Sequence, residues 1–324
     1  MINQRSAFLV ILIATYNRLD LLKKTVCSII RETQCPHEII AIDGGSTDGT
    51  KEYIKSDTNI TPVFQGELLG TARSYNNVWR QINSKYTCWL SDDTEIVNNS
   101  IDMAIDILEK NGDIGMVGLK MKDVSGPFID RTYLGGISEY GILNCNHGVL
   151  STALLRQVGY FNEQYRSYHI DPDLTASILC TGKKVAMTKK IGVLHHRDWA
   201  DKEDVNKKIK KDMGGIDNQK IYLEKFKFLK ESTAKKLYNR FFLHKILYIL
   251  FYLYFRNDLN MSLLGFNYRD WQNLLLARFI SIKEIFRSEE ISYHLTQCIP
   301  PRLLKQYLVP DRKPRIFSRP GKKF

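Results

Sequence analysis

The chain has no Cys-x-x-Cys pair. Its six cysteines, Cys27, Cys35, Cys88, Cys145, Cys180 and Cys298, are scattered, several inside apolar runs, which leaves reduced, buried thiols in a cytosolic protein as the reading. A basic-then-apolar leader is missing as well: the run 8–14 is too short for a signal sequence and leads straight into a turn, so a strand is expected there. No apolar run reaches the roughly 20 residues of a spanning helix. After the first apolar run the sequence reads Thr15-Tyr16-Asn17-Arg18-Leu19-Asp20, without glycine, so the Gly-rich basic loop expected of a metal-dependent nucleotidyltransferase is absent. The signatures of the common nucleic-acid modules are absent too, and nucleic acid is not an expected partner.

What is present is a chain of 324 residues, 44% hydrophobic, enough for a full core plus a second region and incompatible with intrinsic disorder. The net charge of +12 is unevenly spread: residues 201–324 hold 26 Lys and Arg against 13 Asp and Glu, so residues 1–200 are nearly neutral. Such asymmetry suits an appended surface for anionic partners such as acidic lipid head groups.

The first half alternates short apolar runs with amphipathic helical ones. Strands are expected at 7–14, 38–43, 62–65, 86–90 and 114–119. Helices are expected between them, the first presenting Leu19, Leu22, Val26, Ile29 and Ile30 on one face and the second covering 47–55. This βαβ alternation predicts an α/β fold with a mostly parallel central sheet covered by helices on both faces. In such sheets ligands sit beyond the carboxyl ends of the strands. Polar or flexible clusters follow three of them: Thr15 to Arg18, Asp43 to Gly49, and Ser91-Asp92-Asp93. Two adjacent carboxylates cannot both be buried and ionised without balancing cations or donors. With Arg73 on an intervening helix, the set fits a nucleotide diphosphate, its base near Tyr16 and Asp43 and its phosphates near a metal on Asp93.

Over residues 7–200 this arrangement resembles the family 2 glycosyltransferases, whose nucleotide-sugar domain has the GT-A fold. Residues 10–18, ending Thr15-Tyr16-Asn17-Arg18, look like the family's opening strand and turn. Residues 42–50 look like its base-binding turn, with Gly44 where Asn or Asp is commoner. Residues 70–76 resemble the segment whose Arg lies near the nucleotide, here Arg73. Ser91-Asp92-Asp93 stands at the Asp-x-Asp motif with Ser at its first position. The resemblance implies a divalent metal, Mn2+ or Mg2+, on Asp93, with Ser91 and Asp92 toward the ribose or the water shell. It also implies a catalytic base at Asp171, in His169-Ile170-Asp171-Pro172-Asp173, where Ile170 replaces the usual Glu; a helix-capping role is the alternative for Asp171 and more so for Asp173. His195 or His196, at the end of a strand-like run, would complete the metal or diphosphate site as neutral imidazole. Spacing does not settle which.

The implied activity is inverting transfer from a nucleotide-sugar co-substrate to an acceptor hydroxyl, with a surface glycan or a lipid-linked glycan as acceptor partner. A nucleotidyltransferase and a non-catalytic nucleotide- or nucleic-acid-binding protein are the alternatives; slow donor hydrolysis in metal separates a transferase from a pure binder. Residues 1–200 are expected to form the catalytic domain and 201–324 a basic, helical C-terminal region. Within the latter, 241–255 is nearly all apolar and aromatic, flanked by Arg240 and Arg256. It reads either as a helix in the membrane interface, meeting anionic lipid on the cytoplasmic face, or as a core helix of a C-terminal bundle. Residues 312–323 read as a basic tail.

Overall fold

The structure, a computed structural model, describes residues 7–126, 132–133, 138, 140–165, 167–197, 217–229 and 294–307. The segments 241–255 and 312–323 lie outside the described residues.

Strand β1 (Ala7–Thr15) is apolar almost throughout because both its faces are covered. The period of two sends Leu9, Ile11 and Ile13 into one core and Val10 and Leu12 into the other. Helix α1 (Leu19–Glu32) packs Leu22, Val26 and Ile29 onto the first of these. Ile30, expected on that face, is instead exposed, since it lies about 100° round the helix from Ile29. Then follow β2 (His37–Asp43), α2 (Thr50–Ser56), β3 (Ile60–Phe64), α3 (Thr71–Trp79), β4 (Ser84–Ser91), β5 (Thr94–Ile96), α4 (Ser100–Lys110) and β6 (Ile114–Asp123). Helix α2 starts three residues later than expected: Gly49 is left-handed, and the Asp48 carboxylate accepts the Thr50 N–H at 3.0 Å. The chain continues through β7 (Thr132–Tyr133), β8 (Gly148–Ser151), α5 (Thr152–Val158), α6 (Ile170–Leu179), β9 (Lys184–His195), α7 (Asn218–Lys225), β10 (His294–Gln297) and α8 (Pro301–Tyr307).

These strands form one sheet in the order β10-β9-β6-β8-β4-β1-β2-β3, with β5 on β9 and β7 on β6. The parallel arrangement expected from the sequence holds from β4 through β1 and β2 to β3. Beyond β4 the sheet is mixed, because β8 enters between β4 and β6 antiparallel to both. Proline sits in the sheet at Pro62 of β3, an edge strand, where its missing N–H costs no ladder bond.

The sheet also continues past residue 200. β10 pairs antiparallel with β9, while Tyr222, Phe226, Leu229, Ile299, Leu303 and Leu304 join the same core as α3 and α6. Lys225 of α7 pairs with Asp173 of α6, a residue only 1% exposed that also accepts a hydrogen bond from the Tyr165 hydroxyl. Asp173 therefore serves to dock α7 onto α6.

Candidate active site at the strand ends

Register brings the three polar turns together. β1 lies between β2 and β4, with Thr15 opposite Asp43 and Ala14 opposite Ser91, so the turn after β1 is flanked by the other two, one strand spacing of about 4.8 Å to either side. Asp92 and Asp93 are nearly buried, at 4% and 6% exposure. The Arg18 guanidinium donates to both through Nη1, at 2.9 Å to Asp92 Oδ1 and 2.9 Å to Asp93 Oδ2. His195, the last residue of β9, places Nε2 3.4 Å from Asp93 Oδ1 and Nδ1 2.8 Å from Asp123 Oδ1.

Charge divides unequally over this cluster. Burial works to raise the Asp93 carboxyl, but His195, Ser91 and Arg18 outweigh it and hold it far below the usual carboxylate range. Burial dominates at Asp92, which is raised despite Arg18. Burial also opposes a charged His195, yet its two carboxylate partners push it up to about 9, so the imidazole expected to be neutral carries a proton at neutral pH here. His196 faces elsewhere, as alternation along an extended segment requires: its Nε2 meets Glu95 Oε2 at 2.9 Å, beside Lys24. Of the two histidine side chains it is thus that of His195 that reaches the acid pair, while His196 gives only its backbone N–H to the Asp93 carbonyl at 2.7 Å.

The first two turns brace one another. Asn17, at φ 52°, takes the Thr47 N–H on Oδ1 at 2.8 Å and gives its own N–H to Ser46 Oγ at 2.9 Å. Asp43 is 1% exposed, and its carboxylate accepts the N–H groups of Gly45 and Ser46, so its visible work is to hold the turn. Gly45 is required there: φ is +95°, and a Cβ would stand 2.7 Å from the Gly66 carbonyl oxygen. Thr15 is buried, whereas Tyr16 presents its ring to solvent at 42% exposure. Arg73 pairs with Glu163 at 3.7 Å, not with a strand-end acid.

Asp171 lies in the first turn of α6. Burial pushes its carboxyl up to about 6, against the pull of the Asn144 amide, which donates to Oδ2 at 2.6 Å. Asn144 belongs to the stretch 143–147, whose other end carries His147, with Nε2 3.4 Å from Ser91 Oγ. His147 is buried, and burial, reinforced by the charge on His195, lowers it to about 4. The Trp89 indole N–H fixes the Asn146 carbonyl at 2.8 Å. One short stretch of chain therefore touches Asp171 at one end and the acid-pair strand at the other. Asn144 and His147 carry no local signal in the sequence. Asp123 does carry one: it is an acid closing an apolar strand, as Asp93 is.

A metal ion fits the donor set offered here. Asp93 Oδ1 is buried without a hydrogen-bond partner, it faces His195 Nε2, and the Asp123 carboxylate behind His195 is the arrangement that orients an imidazole ligand. Among the described residues no three His, Cys, Asp or Glu groups cluster to hold an ion by themselves. A hard cation such as Mg2+ commonly takes one or two protein ligands and completes its shell with phosphate oxygens and water.

Residues 10–156 match the family model described as Glycosyl transferase family 2. The chain carries a glycosyltransferase family 2 domain. A glycosyltransferase of Bacillus subtilis whose name ties it to teichuronic acid biosynthesis, TuaG, is 25% identical over 122 residues, 36% of this chain and 48% of that protein. An uncharacterized glycosyltransferase of Rickettsia typhi is 28% identical over 187 residues, 53% of this chain and 58% of that protein. The matches span 25 to 58% of the length of the curated relatives. Among solved structures, S. aureus TarS 1-349 in complex with UDP-GlcNAc superposes with a TM-score of 0.50 at 16% identity, covering 71% of this chain and 74% of that one. The glycosyltransferase domain thus has the GT-A fold.

Proposed function

We propose that this glycosyltransferase domain performs an inverting transfer from a nucleotide-diphosphate sugar to an acceptor hydroxyl. The observation that carries the proposal is the span of 143–147. Asn144 holds Asp171 and His147 meets Ser91, and three residues of chain reach at most about 10–11 Å. The reading is supported by one short stretch that ties a carboxyl of raised proton affinity to the strand carrying the acid pair, within the reach of a sugar.

Asp171, as carboxylate, accepts the proton of the acceptor hydroxyl. The freed oxygen forms a bond to the anomeric carbon from the face opposite the diphosphate, and the bond from that carbon to the diphosphate oxygen breaks with its electron pair. Base catalysis of this kind is worth about 10²–10⁴-fold. Arg18 and the protonated His195 supply positive charge where the leaving diphosphate gathers negative charge, in a site partly closed to water. Asp93 would hold a divalent cation, joined by His195 only once the ion displaces the proton that its carboxylate partners favour; the ion would supply Lewis acidity and a template for the diphosphate. The turns at Thr15 to Arg18 and Asp43 frame the nucleotide end, with Ser91 and Asp92 toward the ribose.

A uridine diphosphate sugar is the first donor to test, since TarS, with the same fold, was solved with UDP-GlcNAc. The tie of TuaG to teichuronic acid supports a cell-surface glycan or its lipid-linked precursor as acceptor. The basic excess of 201–324 supports attachment to the anionic cytoplasmic face of a membrane, which sedimentation with phosphatidylglycerol vesicles checks. Thermal unfolding against a panel of nucleotide diphosphates and their sugars, each with and without manganese, tests the donor site. A metal-dependent rise with one nucleotide is expected, worth about 2.7 kcal/mol at a hundred times Kd. No rise with any donor in a folded sample overturns the proposal.

A further inference from the structure

The stretch 143–147 is held at almost every residue by a partner distant in sequence, and one partner comes from the far end of the chain. Gln297, the last residue of β10 and 2% exposed, clamps the backbone of Leu143 with both halves of its amide. Its Oε1 accepts the Leu143 N–H at 3.1 Å, and its Nε2 donates to the Leu143 carbonyl at 2.8 Å. A side chain in this pairing acts as one more rung of sheet and fixes a peptide in position and in rotation. The next residue is Asn144, which donates to Asp171 Oδ2 and to Asn146 Oδ1. Cys145 then gives its N–H to Thr175 Oγ1, whose hydroxyl donates to the Asp171 carbonyl.

We propose that Gln297 is a positioning residue for Asp171, acting through Leu143 to set the Asn144 amide on the carboxylate. The C-terminal strand is then part of the machinery that sets the proton affinity and direction of the base, although it touches no reacting atom. The inference rests on the transfer reading for the role of Asp171, but the coupling itself is a property of the folded chain. A buried side chain lacking either the donor or the acceptor of the Gln297 amide leaves one backbone group of Leu143 unpaired, and the peptide is free to turn. Among the described residues the titratable groups facing Asp171 are His169 and the buried Cys145 thiol, and neither is altered by changes at Gln297 or Asn144.

The test is a double-mutant cycle on the full chain with Gln297→Met, Asn144→Ala and both together. It is read by carbon-13 NMR titration of the Asp171 carboxyl, assigned by its loss in Asp171→Asn, and by transfer rate where a donor and acceptor are in hand. Asn144→Ala should move the Asp171 titration upward, because the amide that favours the carboxylate is gone. Gln297→Met should move it the same way by less, and add nothing in the Asn144→Ala background. Transfer in Gln297→Met should fall by up to about 10²-fold, the size expected of a misplaced catalytic group, with the donor-induced thermal shift unchanged. An unmoved Asp171 titration in Gln297→Met, or shifts that add independently of Asn144, overturns the proposal. Should Gln297→Met fail to fold, Gln297→Glu keeps the size and the acceptor while losing the donor once ionised, and carries the same comparison. Undiminished transfer by Asp171→Asn would instead defeat the base role and leave the titration result standing.

Discussion

Asp93, proposed for the donor side, and Asp171, proposed as the base, are the same functional group in opposite settings. Asp93 meets two cations, Arg18 and His195, and stays ionised far into acid. Asp171 meets the neutral Asn144 amide as its hydrogen-bond donor and is raised to about 6. A carboxylate that stays ionised far into acid is a poor base but keeps the charge a metal needs, whereas one that binds a proton near neutrality is suited to take a proton and release it. On the proposed reading, the two roles follow from partners rather than from residue type.

Breaking the base should have the largest effect. Asp171→Asn is expected to lower transfer by about 10²–10⁴-fold, with donor binding by thermal shift nearly intact; turnover that survives removes Asp171 from its role. In the unaltered enzyme kcat/KM should fall as pH drops through about 6, because protonation of Asp171 removes the base. A flat profile from pH 5 to 7 would count against this assignment.

Breaking the ligand should act on binding instead. Asp93→Ala is expected to abolish the metal-dependent part of the donor-induced thermal shift, a loss of up to about 2.7 kcal/mol at a hundred times Kd. Equal nucleotide affinity with and without manganese in the parent protein would remove Asp93 from the metal.

The sharpest form of the comparison is stability without any ligand. Asp93 has a native proton affinity below that of the unfolded chain, so its charge contributes stability at neutral pH that is lost as pH falls below the unfolded value of about 3.9. Asp93→Asn should therefore destabilise at pH 7, on the order of 1–3 kcal/mol. Asp171 is shifted the other way, so ionising it costs stability above about 6 and nothing below the unfolded value. Asp171→Asn should raise the melting temperature at pH 8 and leave it unchanged at pH 4. Shifts of the same sign for both variants in chemical or thermal unfolding would show that the two environments do not differ as described.

The donor side is legible in the sequence because its parts are local. Each apolar run, its helix and its strand-end turn follow one another within about 30 residues, and parallel βαβ order places the turns side by side with few alternatives. The apolar run 86–90 by itself puts Ser91, Asp92 and Asp93 at a strand end, and the runs ahead of Asp43 and of the 15–18 turn do the same for them. The acceptor side is harder to read because its contacts are remote. Nothing near Leu143 or Gln297 announces that they meet, and the antiparallel insertion of β8 follows from no periodicity in the sequence. The partner of Arg73 is hidden for a similar reason: Glu163 lies in another turn that packs under α3. The two histidines are indistinguishable as neighbours in sequence and become different only at the end of β9, where their side chains point to opposite sides.

The pairing of β10 with β9 bears on how the protein is made. Thr188 must wait for His294, more than a hundred residues downstream, before that rung can close. Synthesis runs from the amino end and completed regions fold as they emerge, so the nucleotide half can assemble while the edge strand is still in the ribosome. On the proposed reading, β10 then acts as a completion check: until it arrives, the nascent chain has the strand-end turns but lacks the clamp on Leu143.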